Sequence, residues 1–144
     1  MATVFDVAAY ILSKKGKMTA MKLQKLVYYA QAWSLVWDEA PLFKSRIHAW
    51  ANGPVCPALY QAHKGVFKVG KENFPGGNPK NLTKDEADTV DVVLEYYGNK
   101  SAQYLSDLTH AESPWKDARK GLAAGERGEN EITTAAMEEY YGGL

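Results

Sequence analysis

The chain has 144 residues, 46% hydrophobic and 24% charged, and its seventeen basic and seventeen acidic side chains leave no net charge. Those proportions are those of one soluble globular domain, residues 1–144, large enough for a core without disulfides or metal. A single cysteine excludes an internal disulfide, and no run approaches the ~20 apolar residues of a membrane span.

The lack of disulfides and of zinc-type Cys/His spacing fits a reducing cytoplasm. The N-terminal apolar run holds Asp6 and is followed by Lys14, Lys15 and Lys17, the reverse of a signal peptide. Charge is unevenly spread: residues 1–80 carry eleven Lys/Arg against four Asp/Glu, and residues 81–144 six against thirteen. Either the halves attract each other within the fold, or Lys14, Lys15, Lys17, Lys22 and Lys25 form an outward patch for an acidic partner. The ordinary fate of such a run is a solvated face.

The periodicity predicts a mainly α domain. A first helix spans about 3–15, with Val4, Ala8, Ile11 and Leu12 on one face and Gly16 as its stop. Thr19 caps a second, aromatic-rich helix over about 20–37. Its Leu23, Leu26, Val27, Ala30, Trp33 and Trp37 keep i, i+3, i+4, i+7 spacing, and Tyr28, Tyr29 and Leu35 widen the apolar surface. This helix is expected at the centre, with Lys22, Gln24, Lys25 and Gln31 as its wet strip. Arg46 to Trp50 reads as extended, Asn52-Gly53-Pro54 as a turn, and Val55 to His63 as helix again.

Residues 64–81 hold four of the twelve glycines and two of the six prolines, the composition of a mobile loop with room for a small hairpin. Thr83 to Glu86 is a capping box opening a helix to about Tyr97, with Ala87, Val90, Leu94 and Tyr97 inward. Ser101 caps a helix to about His110. Ser113-Pro114 opens another to about Lys120, and a last one covers about 134–141. The Arg46–Trp50 segment should pair with residues 131–133 or with the 64–80 loop.

The ordered set Lys22-Leu23-Gln24-Lys25-Leu26, Tyr28-Tyr29-Ala30-Gln31-Ala32-Trp33, Pro41-Leu42-Phe43, Ala49-Trp50, Gly53-Pro54-Val55, Pro57, Tyr60, His110, Pro114-Trp115 and Glu131-Ile132 resembles the Panacea domain, the SocA-like antitoxin family, which includes phage-associated proteins. The resemblance implies a helical antitoxin of a type II toxin–antitoxin system that binds a toxin encoded nearby. It also admits an adaptor that delivers the toxin to a cellular protease, an operon regulator, and association with a second copy of the chain. Cys56 stands where a small apolar residue is expected. Within this frame Lys22 and Lys25 are candidates for charge steering, with Tyr28 and Gln31 as contact anchors. Trp33, Trp50, Gly53, Pro54, Tyr60, His110, Pro114 and Trp115 are assigned to the integrity of the platform.

Chemistry has little to work with. Cys56 with His48, His63 or His110 is the only nucleophile–base combination, and a cysteine between Val55 and Pro57 ordinarily behaves as a small hydrophobe. The three histidines lack metal-ligand spacing, and no phosphate-binding glycine loop occurs, so neither an enzyme nor a cofactor is expected. The lysines at 14–25 could meet phosphates, but a neutral protein with three arginines and an acidic second half is poorly suited to DNA.

Overall fold

A computed structural model describes all 144 residues. Helix α1, Val4–Lys15, begins where Thr3 and Asp6 cap each other: Asp6 N donates to Thr3 Oγ1 at 3.3 Å and Thr3 N to Asp6 Oδ2 at 2.9 Å. Asp6 Oδ1 also accepts the Asn78 N–H at 2.8 Å, which pins the distant 64–81 segment to α1. Burial pushes the Asp6 carboxyl up, but donors from Thr3, Asn78 and Asn81 outweigh it and hold it below the ordinary range.

Strand β1, Met18–Thr19, leads into α2, Ala20–Trp37, with the Thr19 hydroxyl accepting from Lys22 N. This helix is central, touching α1 and three helices that follow later in the chain. Leu23, Leu26 and Val27 are fully buried. Removing each such side chain from water contributes about 1.5–3 kcal/mol.

Strands β2, Ile47–Trp50, and β3, Gly53–Val55, form a tight antiparallel pair before helix α3, Pro57–His63. The helix expected from Val55 therefore starts two residues later, because Gly53 to Val55 are engaged in the sheet. Strand β4, Lys68–Val69, pairs with β1, so the hairpin expected inside 64–80 is instead a ribbon between that segment and the start of α2. Two short 3₁₀ turns, Lys71–Asn73 and Pro79–Asn81, complete the segment.

Helices α4, Lys84–Tyr97, and α5, Ala102–His110, carry the expected Thr83 and Ser101 caps. Helix α6, Ser113–Ala118, departs from expectation: its N-cap is Glu112, which makes no capping bond because its carboxylate turns inward. Strand β5, Glu131–Ile132, pairs with β2 through Ile47↔Ile132, and α7, Thr134–Gly142, closes the fold over α2. The result is seven helices with α2 at the centre and a three-stranded sheet ordered β3-β2-β5. No helix is long and apolar enough to cross a membrane.

The wet strip expected on α2 is corrected. Gln24, Lys25 and Gln31 are buried, and only Lys22 keeps partial exposure. The lysine run at 14–25 is accordingly not one outward patch, since Lys25 faces the interior. Trp37, expected inward, is 47% exposed, stacked on Trp33 instead of entering the core. One ion pair joins the oppositely charged halves, Arg46–Glu131 at 4.0 Å, so most of the asymmetry faces solvent.

Candidate functional site

Two glutamines fasten the chain that follows α2 back onto it. Gln31 donates to Phe43 O at 2.9 Å and accepts from Leu42 N at 2.7 Å. One pair of turns earlier, Gln24 accepts from Cys56 N at 2.9 Å and donates to Cys56 O at 3.3 Å, with His63 Nε2 at 3.0 Å from its amide nitrogen. Each amide satisfies backbone groups that no sheet partner reaches, which is why a polar side chain is tolerated there. Gln31 is thus an internal brace, and the surface placement expected of it is wrong. The same holds for Tyr28, 1% exposed, whose hydroxyl lies 2.9 Å from that of Tyr141.

Lys25 lies beneath the Gly53-Pro54 corner. Gly53 takes φ +120° after the Ala51–Asn52 turn, and a Cβ there would collide with Lys25 Cε and sit 3.2 Å from Thr109 Oγ1. The missing side chain makes room for the lysine stem. Lys25 Nζ has no hydrogen-bond partner, and burial pulls its pKa from 10.5 to about 8. It is therefore not available for steering.

The other corner residues interlock. Trp115 Nε1 donates to Trp50 O at 2.8 Å, and His110 stacks flat on Trp115 with ring centroids 3.9 Å apart. Tyr60 meets Trp50 edge-on at 4.9 Å, and Pro114 is buried. Trp50 is half-buried rather than enclosed. With Met21, Tyr60 and His63 it walls a cleft, and Arg127 lies 5.5 Å over its ring. Burial, then the nearby Lys25 charge, hold the His110 imidazole below its ordinary pKa.

Cys56 caps α3 but is 2% exposed, and burial pushes its thiol up. An activated thiol requires the opposite shift. No group of three or more His, Cys, Asp or Glu side chains stands close enough to hold a metal ion.

A second apolar feature lies between the end of α2, α4 and α5. A groove of about 390 Å³ is walled by Trp33, Trp37, Val92, Tyr96 and Leu108, with Glu112 its only charged lining side chain. Trp33 stacks on Trp37 at 4.9 Å and donates its Nε1–H to Tyr97 Oη at 3.0 Å. Val92 and Tyr96 are 48% and 72% exposed. Glu112 is 7% exposed, and its Oε1 accepts from Tyr29 at 2.7 Å and Tyr141 at 2.8 Å. Burial raises its pKa, opposed by those two hydroxyls.

The family model described as antitoxin SocA-like, Panacea domain, matches residues 23–116. The chain belongs to that family. No curated protein and no solved structure matches it. The Panacea match takes in Lys25, the Gly53-Pro54 corner, the His110–Trp115 stack, Glu112 and most of the groove. Tyr141, which holds Glu112 from α7, lies beyond it.

Sequence reasoning missed Glu112 and the groove. The groove had a readable signal: with Ala87, Val90, Leu94 and Tyr97 inward on one helix, Val92 and Tyr96 fall on its outer face four residues apart. Glu112 had none, since Ser113-Pro114 beside it already reads as the helix start.

Proposed function

We propose that this protein is an antitoxin that silences a cognate toxin, encoded beside it, by direct protein–protein binding and without catalysing a reaction. Membership of the antitoxin SocA-like family over residues 23–116 carries the reading. The physical properties of the chain support it. Its one thiol is buried and shifted away from reactivity, while large aromatic side chains stand exposed on a well-packed helical frame. Exposed aromatics on a rigid support are characteristic anchors of protein interfaces.

An interface of ordinary size would bury about 1,200–2,000 Å² in total. Lys22, the lysine of α2 that keeps contact with solvent, together with exposed Lys14, Lys15 and Lys17, would speed encounter with an acidic region of the toxin rather than hold it. The protein acts in the cytoplasm, where the toxin is made.

Co-expression with the adjacent open reading frame tests this. The neighbour alone should arrest growth, and this protein should restore it and co-purify with the neighbour. A harmless neighbour, or arrest that persists, defeats the proposal. Rescue that requires a cellular protease would replace simple occlusion by delivery for degradation.

A further inference from the structure

The groove between α2, α4 and α5 holds a buried carboxylate that has no counter-ion. None of the four ion pairs in the molecule involves Glu112. Its Oε1 takes both tyrosine hydroxyls, and Oε2 makes no hydrogen bond within the protein. That oxygen still reaches solvent, and covering it would be unfavourable unless a cation or enough donors replaced its hydration. Trp33, Trp37, Tyr96 and Tyr97 line the groove beside it, and the face of an aromatic ring attracts a cation through its quadrupole.

At its outer end the groove continues into a cleft that shares Trp37 and Val92 and is rimmed by Asp38, Asp85 and Asp88. Thr89 ties that rim together by donating to Asp38 Oδ2 at 2.6 Å. Lys84, bound to Asp88 at 2.8 Å, offsets only one of the three carboxylates. The surface is therefore apolar along its length and negative at its floor and rim.

We infer that this groove is a docking surface for a basic amphipathic segment of a partner protein. One arginine or lysine of that segment passes between the aromatic walls to Glu112, while its apolar residues cover Val92 and Tyr96. Charge complementarity selects the occupant: an acidic or wholly apolar segment would leave Glu112 without compensation and face three aspartates at the rim. This rests on the antitoxin reading only in taking the toxin as owner of the segment.

The test uses two synthetic amphipathic peptides, one of leucine and arginine at helical spacing, the other with glutamate replacing arginine. Binding is followed by fluorescence anisotropy. The variants are Glu112→Gln, which keeps an oxygen for Tyr29 and Tyr141, and Tyr96→Ala, at a position already exposed. Only the arginine peptide should bind, and each variant should weaken it at least tenfold while the melting temperature holds.

Equal binding of both peptides, no binding of either, or full affinity in both variants would overturn the assignment. If Glu112→Gln does not fold, Tyr96→Ala and Val92→Ser decide alone. Phe67 is 78% exposed between Lys64 and Lys68 and could let a second copy fill the groove. Concentration-dependent association of the protein alone, abolished by both Phe67→Ala and Tyr96→Ala, would show this and defeat the partner assignment. Growth arrest unrelieved by the wild type sinks the antitoxin reading while the peptide result stands. Wild-type rescue with unaltered peptide binding in the variants sinks only the groove.

Discussion

Replacing Lys25 by methionine should stabilise this protein, although it deletes a charge from the central helix. Methionine is also unbranched and can follow the path of the lysine stem beneath Gly53, but it carries no ammonium to desolvate. The folded-state pKa of Lys25 is pulled from 10.5 to about 8 by burial, with no anion or acceptor in compensation. A base whose pKa falls on folding weakens the fold while it is protonated, and the penalty fades as pH rises from the folded towards the unfolded value. At pH 7 the shift corresponds to about 3 kcal/mol, or on the order of 10 °C in Tm for a chain of this size. At pH 9.5 the folded protein has released the proton and the unfolded chain mostly has not, so about 1 kcal/mol remains. Urea unfolding of wild type and Lys25→Met at both pH values measures the difference. The comparison stays below pH 10, because Tyr28, Tyr29 and Tyr141, raised by burial, ionise first in the unfolded chain and erode stability above that point. A less stable Lys25→Met protein at pH 7, or a gap that does not narrow with pH, would refute the reasoning and show that the ammonium is compensated.

Gly53→Ala should destabilise the fold by about 1–3 kcal/mol, from a φ that side chains avoid together with the collision against Lys25. In the Lys25→Met background the loss should persist, because the backbone strain remains; denaturant midpoints of the four proteins give the coupling. Gln24→Leu leaves the Cys56 N–H buried without a partner, while the Cys56 carbonyl keeps the Tyr60 N–H at 3.0 Å, and should cost about 1–3 kcal/mol, read from the same curves. Cys56 should resist an aromatic disulfide reagent in the folded protein and react in urea, and Cys56→Ala should still protect cells in the co-expression assay. Rapid native labelling would contradict its enclosure.

Sequence reading located the helices well because their starts are chemically local. Thr3, Thr19, Thr83, Ser101 and Thr133 each offer a hydroxyl to an N–H within the next turn, a bond formed without distant residues. The order of motifs was also sufficient for the family, since a match over residues 23–116 depends on succession along the chain. The corner was half legible. Gly53-Pro54 signalled a turn, but its β3 strand exists only because β2 lies alongside.

What periodicity could not supply was the direction faced by polar residues on a helix surrounded on several sides. Lys25, Gln31 and Tyr28 looked suited to a surface, yet α2 is enclosed by α1, α4, α5 and α7, and each polar group turned inward for a different reason. Gln31 meets bare backbone at Leu42 and Phe43, Tyr28 meets the hydroxyl of Tyr141, and Lys25 fills the space a glycine leaves open. Glu112 shows the same division: the sequence drew no attention to it beside Ser113-Pro114, and the tyrosines of α2 and α7 made it the floor of a groove. Local hydrogen bonding along the chain thus determined where helices begin, and the order of motifs determined the family. Burial of individual polar groups, and with it the candidate site, was decided only when elements far apart in the chain removed water from between them.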